Sequence, residues 1–252
     1  MAVRKEEDGS FWDHLEEFRK RIFIVLSTVV IFAAVAFFFS GRLAGIVIET
    51  SPAQLSALSP AEAITAHLRL SVAAGIIAAS PVILFQIWRF VAPGLYRSEK
   101  KAVLSVTGAG SILFITGAAF AWFTIREPAL VLFQSFETGK ITGFWSVSSY
   151  IDFIGTLLLV FGAAFQLPLA VLFLVRTGIA EPADLAHYRR HILVGLLVVA
   201  AILTPPDPFT QIMLTLPLYI LFEISLLSAR IAVRKSGRSA KTATVPRERT
   251  DV

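Results

Sequence analysis

Long uncharged apolar runs alternate with short polar segments along this chain. Ile22–Phe39, Leu70–Trp88, Ala102–Ile125 and Phe153–Val175 each contain no Asp, Glu, Lys or Arg. Crossing about 30 Å of hydrocarbon takes roughly 20 helical residues, so each run is long enough. Two shorter runs follow, Ile192–Leu203 and Phe209–Phe222, separated by Thr204-Pro205-Pro206-Asp207-Pro208. A proline cluster of that density cannot continue a helix. The pattern predicts an all-α integral membrane protein, a six-transmembrane helix bundle whose last two spans are short. The approximate spans are 22–39, 70–90, 102–125, 151–175, 191–204 and 208–228. A re-entrant hairpin in place of the last two would return the chain to the same side. Residues 1–230 then form a single membrane domain, and the polar, basic stretch 231–252 is expected to be a disordered cytoplasmic tail.

Composition removes the soluble alternatives. Hydrophobic residues make up 56% of the 252 and charged residues 16%, against about 25% charge in a soluble domain. Mean hydropathy is +0.72. The same numbers argue against disorder and against a nucleic-acid-binding domain, despite a pI near 9.7. With no Cys there are no disulfides or thiolate ligands, and four His suggest no metal centre.

The net charge of +5 describes topology instead. Lys and Arg collect on the cytoplasmic side of a membrane protein. Placing the N-terminus inside puts nineteen basic residues in the cytoplasm, leaving Arg42, Arg69, Arg126 and Lys140 outside. Both termini are therefore expected to be cytoplasmic.

The polar segments hold the candidate chemistry. Ser10-Phe11-Trp12-Asp13 reads as a helix start, and Phe11, Leu15, Phe18 and Ile22 recur on one face of an interfacial helix that should turn into the membrane. Its polar face carries His14, Glu16, Glu17, Arg19, Lys20 and Arg21, where Glu16–Lys20 and Glu17–Arg21 are i,i+4 pairs. After span two, Pro93-Gly94 makes a turn, Ser98 can cap the next helix, and Glu99 falls in its first turn. Outside, Ser59-Pro60-Ala61-Glu62 should cap a short amphipathic helix running through His67 to Leu70. Gln166 precedes Pro168, which breaks the helical ladder near Ala164, and the amide can satisfy freed backbone groups. Asp207 can cap the helix begun by Pro208. Glu223, an ionisable group within a span, is a functional candidate.

Three of these segments also carry a resemblance. Asp13-His14-Leu15-Glu16-Glu17-Phe18-Arg19-Lys20-Arg21 resembles the His-Leu-x-Glu-Leu-Arg-x-Arg signature of the twin-arginine translocase TatC family. So do Ser80 to Tyr96 followed by Glu99, and Leu203-Thr204-Pro205-Pro206-Asp207-Pro208 with Leu221-Phe222-Glu223-Ile224. The resemblance runs from about residue 12 to 230. It implies a signal-peptide receptor, the core membrane component of a twin-arginine (Tat) protein-export system. Glu17 and Glu99 would hold the consecutive arginines of signal peptides on folded cargo proteins, and Arg19 would orient a glutamate. It further implies single-span TatA/TatB-type partner subunits, self-association in a larger complex, the protonmotive force as driver, and a bacterial-type plasma (inner) membrane. TatC-like proteins often have Glu where Gln166 stands, at a position linked with Pro168 and the single-span partners. The outer loop at Asp207 would serve translocation.

No nucleotide loop or catalytic triad pattern occurs, so a receptor and scaffold without catalytic residues or cofactors is favoured over an enzyme. A small-solute secondary transporter is the alternative from another class. Pro81, Pro168 and Gln166 offer it broken helices, but no pair of central acids offers coupling. A purely structural scaffold, with both glutamates as ordinary surface charges, is the third reading.

Overall fold

The computed structural model describes residues 3–91, 100–135, 145–203 and 208–243. Almost all of them are helical, which is what a membrane demands. With no water in hydrocarbon, every backbone N–H and C=O must find its partner within the helix. Among the described residues five helices are long and apolar enough to cross a membrane: Leu15–Phe38, Pro60–Val91, Val103–Ser135, Val147–Arg176 and Gln211–Ile231. The chain divides into two compact units, Met1–Ala163 and Ala164–Val252.

The first unit is built on two long helices, α1 (Val3–Phe38) and α3 (Pro60–Val91), which pack along each other. The expected cap at Ser10 and the turn into span one are absent, because α1 runs unbroken from Val3. No proline interrupts it. Likewise the outer helix begun at Pro60 and span two are one helix, with Pro81 in its interior. Ile22, Phe23, Leu26, Val30, Ile31 and Val35 of α1 are exposed, as expected of residues that face acyl chains. The chain breaks at Phe39 and restarts as α2 (Ser40–Glu49), a helix without counterpart in the sequence reading, whose buried Ala44 and Val47 pack with Ala66 and Leu70.

The third span runs further than expected. α4 (Lys100–Phe120) passes through a π turn, Ala121–Ile125, into α5 (Arg126–Ser135). Arg126 N–H bonds to the Ala121 carbonyl, five residues back. Pro128 lacks an N–H and its ring crowds the carbonyl four residues earlier, at Thr124. That carbonyl lies in the π turn, where the wider winding lets the helix continue past the proline.

At the end of the unit that holds α2, Glu62 ties three segments together. Its carboxylate accepts the Leu58 N–H, the Ser146 hydroxyl and, at 3.0 Å, the Ser148 N–H. Leu55–Ser56 (β1) and Trp145–Ser146 (β2) pair beside it as a two-residue parallel bridge. The cap expected at Ser59–Glu62 is present, with the Ser59 N–H also on the carboxylate, and the same side chain clasps the start of α6 (Val147–Ala164). Arg69 on α3 donates to Asp152 on α6.

The second unit begins at α7 (Leu167–Arg176), followed by the short α8 (Pro182–His187), α9 (Arg189–Leu203) and α10 (Pro208–Ala243). α7 stops in a Schellman motif. Gly178 takes φ +73°, the Gly178 N–H reaches the Val175 carbonyl and the Ile179 N–H reaches that of Leu174. Val171 and Val175 of α7 pack against Ala229 of α10. The 15 residues of α9 rise only about 22 Å, so this helix is shorter than a full crossing. α10 continues helically through 231–243, a stretch expected to be disordered; no proline stands in it before Pro246.

Among the described glycines of the first unit, the tightest approach is at Gly75. A Cβ there would lie 2.6 Å from the Ala33 nitrogen and 2.7 Å from its Cα, so backbone meets backbone. Gly75→Ala forces α1 and α3 apart and should cost about 1–3 kcal/mol, as overpacking does. Gly41→Ala, with nothing within 4 Å, should be neutral. Thermal unfolding of the purified protein in detergent checks both. Equal midpoints for Gly75→Ala and the unsubstituted chain would show that the helices are not in contact there.

Candidate functional site

One end of the α1–α3 pair assembles a carboxylate, a guanidinium and an apolar groove. Glu17 and Arg21 stand one turn apart on α1, and an Arg21 Nη2 hydrogen donates to Glu17 Oε1. Arg21 is only 8% exposed, which is unusual for a charged side chain and requires partners. Its Nη1 donates to the Gln86 carbonyl on α3 at 3.3 Å. The guanidinium also lies 5.9 Å from the Phe90 ring centre, and Phe90 in turn packs on Phe18 at 5.5 Å. Arg21 therefore bridges two helices while holding Glu17, whose own side chain remains 44% exposed. A groove of about 270 Å³ runs beside the pair, lined by Phe18, Ile22, Val25, Ile83, Ile87 and Phe90 among others.

The arrangement suits recognition of a cation. A carboxylate with a fixed orientation accepts a guanidinium through two parallel hydrogen bonds, and the flanking apolar wall lowers the local dielectric. The Glu16–Lys20 pair differs in kind. At 3.0 Å, with both side chains mostly exposed, it is a surface pair of small worth.

The other expected residues are distributed as follows. Arg19 lays its guanidinium over Phe23 at 5.8 Å, and among the described residues the arginine paired with Glu17 is Arg21. Glu99 and Asp207 lie outside the described residues. Gln166 and Pro168 stand where the helix is interrupted: α6 ends at Ala164, α7 begins at Leu167, and the Gln166 carbonyl accepts the Ala170 N–H at 2.9 Å. The break expected from Pro168 is where the sequence puts it. Glu223, in the second unit, accepts Arg189 Nη2 at 2.8 Å and the Tyr219 hydroxyl at 3.0 Å.

Arg189 and Tyr219 carry no functional signal in the sequence. Tyr219 is four residues before Glu223 on the same helix, so its contact was available from spacing, whereas Arg189 is 34 residues away. His187 and His191, four apart, each pack against Tyr188, edge-on and tilted respectively, at 5.8 and 5.7 Å between ring centres. Among the described residues no three His, Cys, Asp or Glu side chains gather as a metal site would require.

Similarity to known proteins agrees across sequence and structure. Residues 13–217 match the family Sec-independent protein translocase protein (TatC). The chain is 35% identical over 248 residues to the Sec-independent protein translocase protein TatCy of Bacillus subtilis (strain 168), covering 95% of this chain and 96% of that one. It is 36% identical over 236 residues to the TatC of Aquifex aeolicus (strain VF5), covering 91% and 98%. A crystal structure of the twin arginine translocase receptor TatC superposes with a TM-score of 0.80 at 36% identity, over 87% of this chain and 99% of that one. With the family matched over most of its length and its helices superposing on a solved member, this multi-pass membrane chain belongs to the TatC family of Sec-independent protein translocase proteins.

Proposed function

We propose that this chain is the signal-peptide receptor and core membrane component of a twin-arginine export system. It recognises twin-arginine signal peptides on folded cargo and works with single-span TatA/TatB-type subunits, driven by the protonmotive force. The observation that carries the reading is Glu17, a half-exposed carboxylate held by buried Arg21 beside an apolar groove, in a chain of the TatC family. Glu99 is the second arginine acceptor. It follows Val91, the end of α3, by eight residues, and Phe90 at that end packs beside the turn bearing Glu17. Gln166, Pro168 and Glu223 serve partner association, and Asp207 the outer loop's part in translocation. The protein is a receptor and scaffold, not an enzyme, and copies of it associate within the complex.

The proposed topology has six spans in a bacterial-type inner membrane, with both termini cytoplasmic. α9 counts as the fifth span, its shortness met by local thinning of the bilayer. Residues 1–230 act as one membrane domain with a basic tail beyond. Reporter fusions near Arg97 and at Ser236 should read cytoplasmic, and those near Gln54 and Lys140 extracytoplasmic. Reversed signals at either pair would invert the assignment.

Gln166 carries no charge, so its proposed contribution is hydrogen bonding. Gln166→Glu should be tolerated. Gln166→Leu should weaken co-purification with single-span partners while leaving signal-peptide binding intact, and unchanged assembly would reduce the residue to packing.

The receptor reading is tested most directly at the two glutamates. A hydrogen bond to a charged group contributes about 1.5–3 kcal/mol, so Glu17→Ala or Glu99→Ala should weaken peptide binding roughly ten- to hundredfold. A peptide with Lys-Lys for Arg-Arg should bind poorly to the unsubstituted chain, since an ammonium cannot make the bidentate contact. Titration of purified protein with labelled peptides measures both. Unchanged affinity in the doubly substituted chain would sink the assignment.

A further inference from the structure

From the geometry around Arg21 we infer that this residue, rather than Arg19, is the positioning residue that presets the Glu17 carboxylate and so sets discrimination for arginine over lysine in the ligand. The inference rests on the receptor reading above and deepens it. Arg21 is buried to 8% exposure, while Arg19 is exposed on the surface of α1 with its guanidinium over Phe23. Burying a guanidinium is costly unless its donors are met and its charge is paired. Here the two ends of one planar group do different things. Nη2 holds Glu17 Oε1, and Nη1 is pinned to the Gln86 carbonyl of α3. Phe90 covers the group at 5.9 Å and is itself fixed by Phe18.

The consequence concerns orientation. A glutamate on an exposed helix face has three rotatable bonds, and a ligand that needs a particular carboxylate plane must freeze them on binding. Arg21 anchors Oε1 and so restricts the carboxylate beforehand, because its own position is set by contacts on a second helix. A preset carboxylate favours a planar fork over a compact ammonium, which gains little from a fixed plane. Lysine at position 21 would keep the charge but could not span Glu17 and the Gln86 carbonyl with one rigid group.

The test compares two synthetic signal peptides, one with Arg-Arg and one with Lys-Lys, binding the full chain in membranes. Arg21→Lys should weaken the Arg-Arg peptide about tenfold while scarcely changing the Lys-Lys peptide, so the ratio of affinities collapses. In a Glu17→Ala background the same substitution should add nothing. Phe90→Leu, which keeps apolar volume but removes the ring, should lower the ratio to an intermediate value, and it decides the matter if Arg21→Lys fails to insert. An unchanged ratio, or losses that add in the Glu17→Ala background, would show that Arg21 only joins the helices. If the unsubstituted chain itself fails to distinguish the peptides, the receptor reading falls, and this inference with it.

Discussion

The fold follows from one constraint, that a backbone inside hydrocarbon must satisfy its own hydrogen bonds. Where the helical ladder is intact the chain gains nothing from elaboration, and its side chains reinforce the same economy. Ser27, Thr28, Ser71, Ser111, Thr116 and Ser225 each return their hydroxyl to the carbonyl four residues earlier. A polar group in a span is thereby neutralised by its own helix and needs no partner from elsewhere. The informative places are where the ladder cannot be kept. At Pro128 the helix widens into a π turn and goes on, and before Pro168 it stops at Ala164 and restarts at Leu167. Proline alone does not decide the outcome, since α3 runs on past Pro81 as an unbroken α-helix.

Helix association then rests on close approach. Lipid tails are as apolar as leucine, so burying leucines against one another gains little inside the membrane. Contact between Gly75 and the Ala33 backbone gives α1 and α3 what lipid cannot, a short separation over which dispersion and backbone dipoles act. That pairing has a functional corollary. Arg21 and Gln86 belong to different helices, and their contact exists only while those helices stay together. The geometry of the candidate receptor carboxylate is therefore a property of the helix pair, not of α1 alone.

What could be read from the sequence was local. Uncharged run lengths located all five of the long apolar helices, and i,i+4 spacing located the Glu17–Arg21 pair. The break at Gln166 followed from Pro168. Boundaries were less legible: Ser59 does precede the start of α3, but Ser10 looks like a local cap until the whole helix is seen. Ser10 lies inside α1, and Glu62, which closes the expected cap at the start of α3, also reaches Ser146 and Ser148, 84 and 86 residues away. Arg189 and Glu223 were hidden for the same reason. A hydrogen bond across 34 residues depends on how helices pack, and periodicity within each helix carries no record of it.

The two ion pairs show why charge count alone says little about function. Arg189 and Glu223 are both partly exposed, and Tyr219 occupies the second Glu223 oxygen. That carboxylate joins α9 with α10. In the Glu17–Arg21 pair the burden is unequal: the arginine is buried and the glutamate is not. The desolvation cost falls on the cation, which the Gln86 carbonyl and the Phe90 face offset in part while its buried Nε finds no partner among the described residues, and the anion keeps its access to water. A pair made this way stores orientation in the buried partner and leaves the other exposed, and that asymmetry, more than the presence of opposite charges, distinguishes the proposed receptor carboxylate from the Arg189–Glu223 pair.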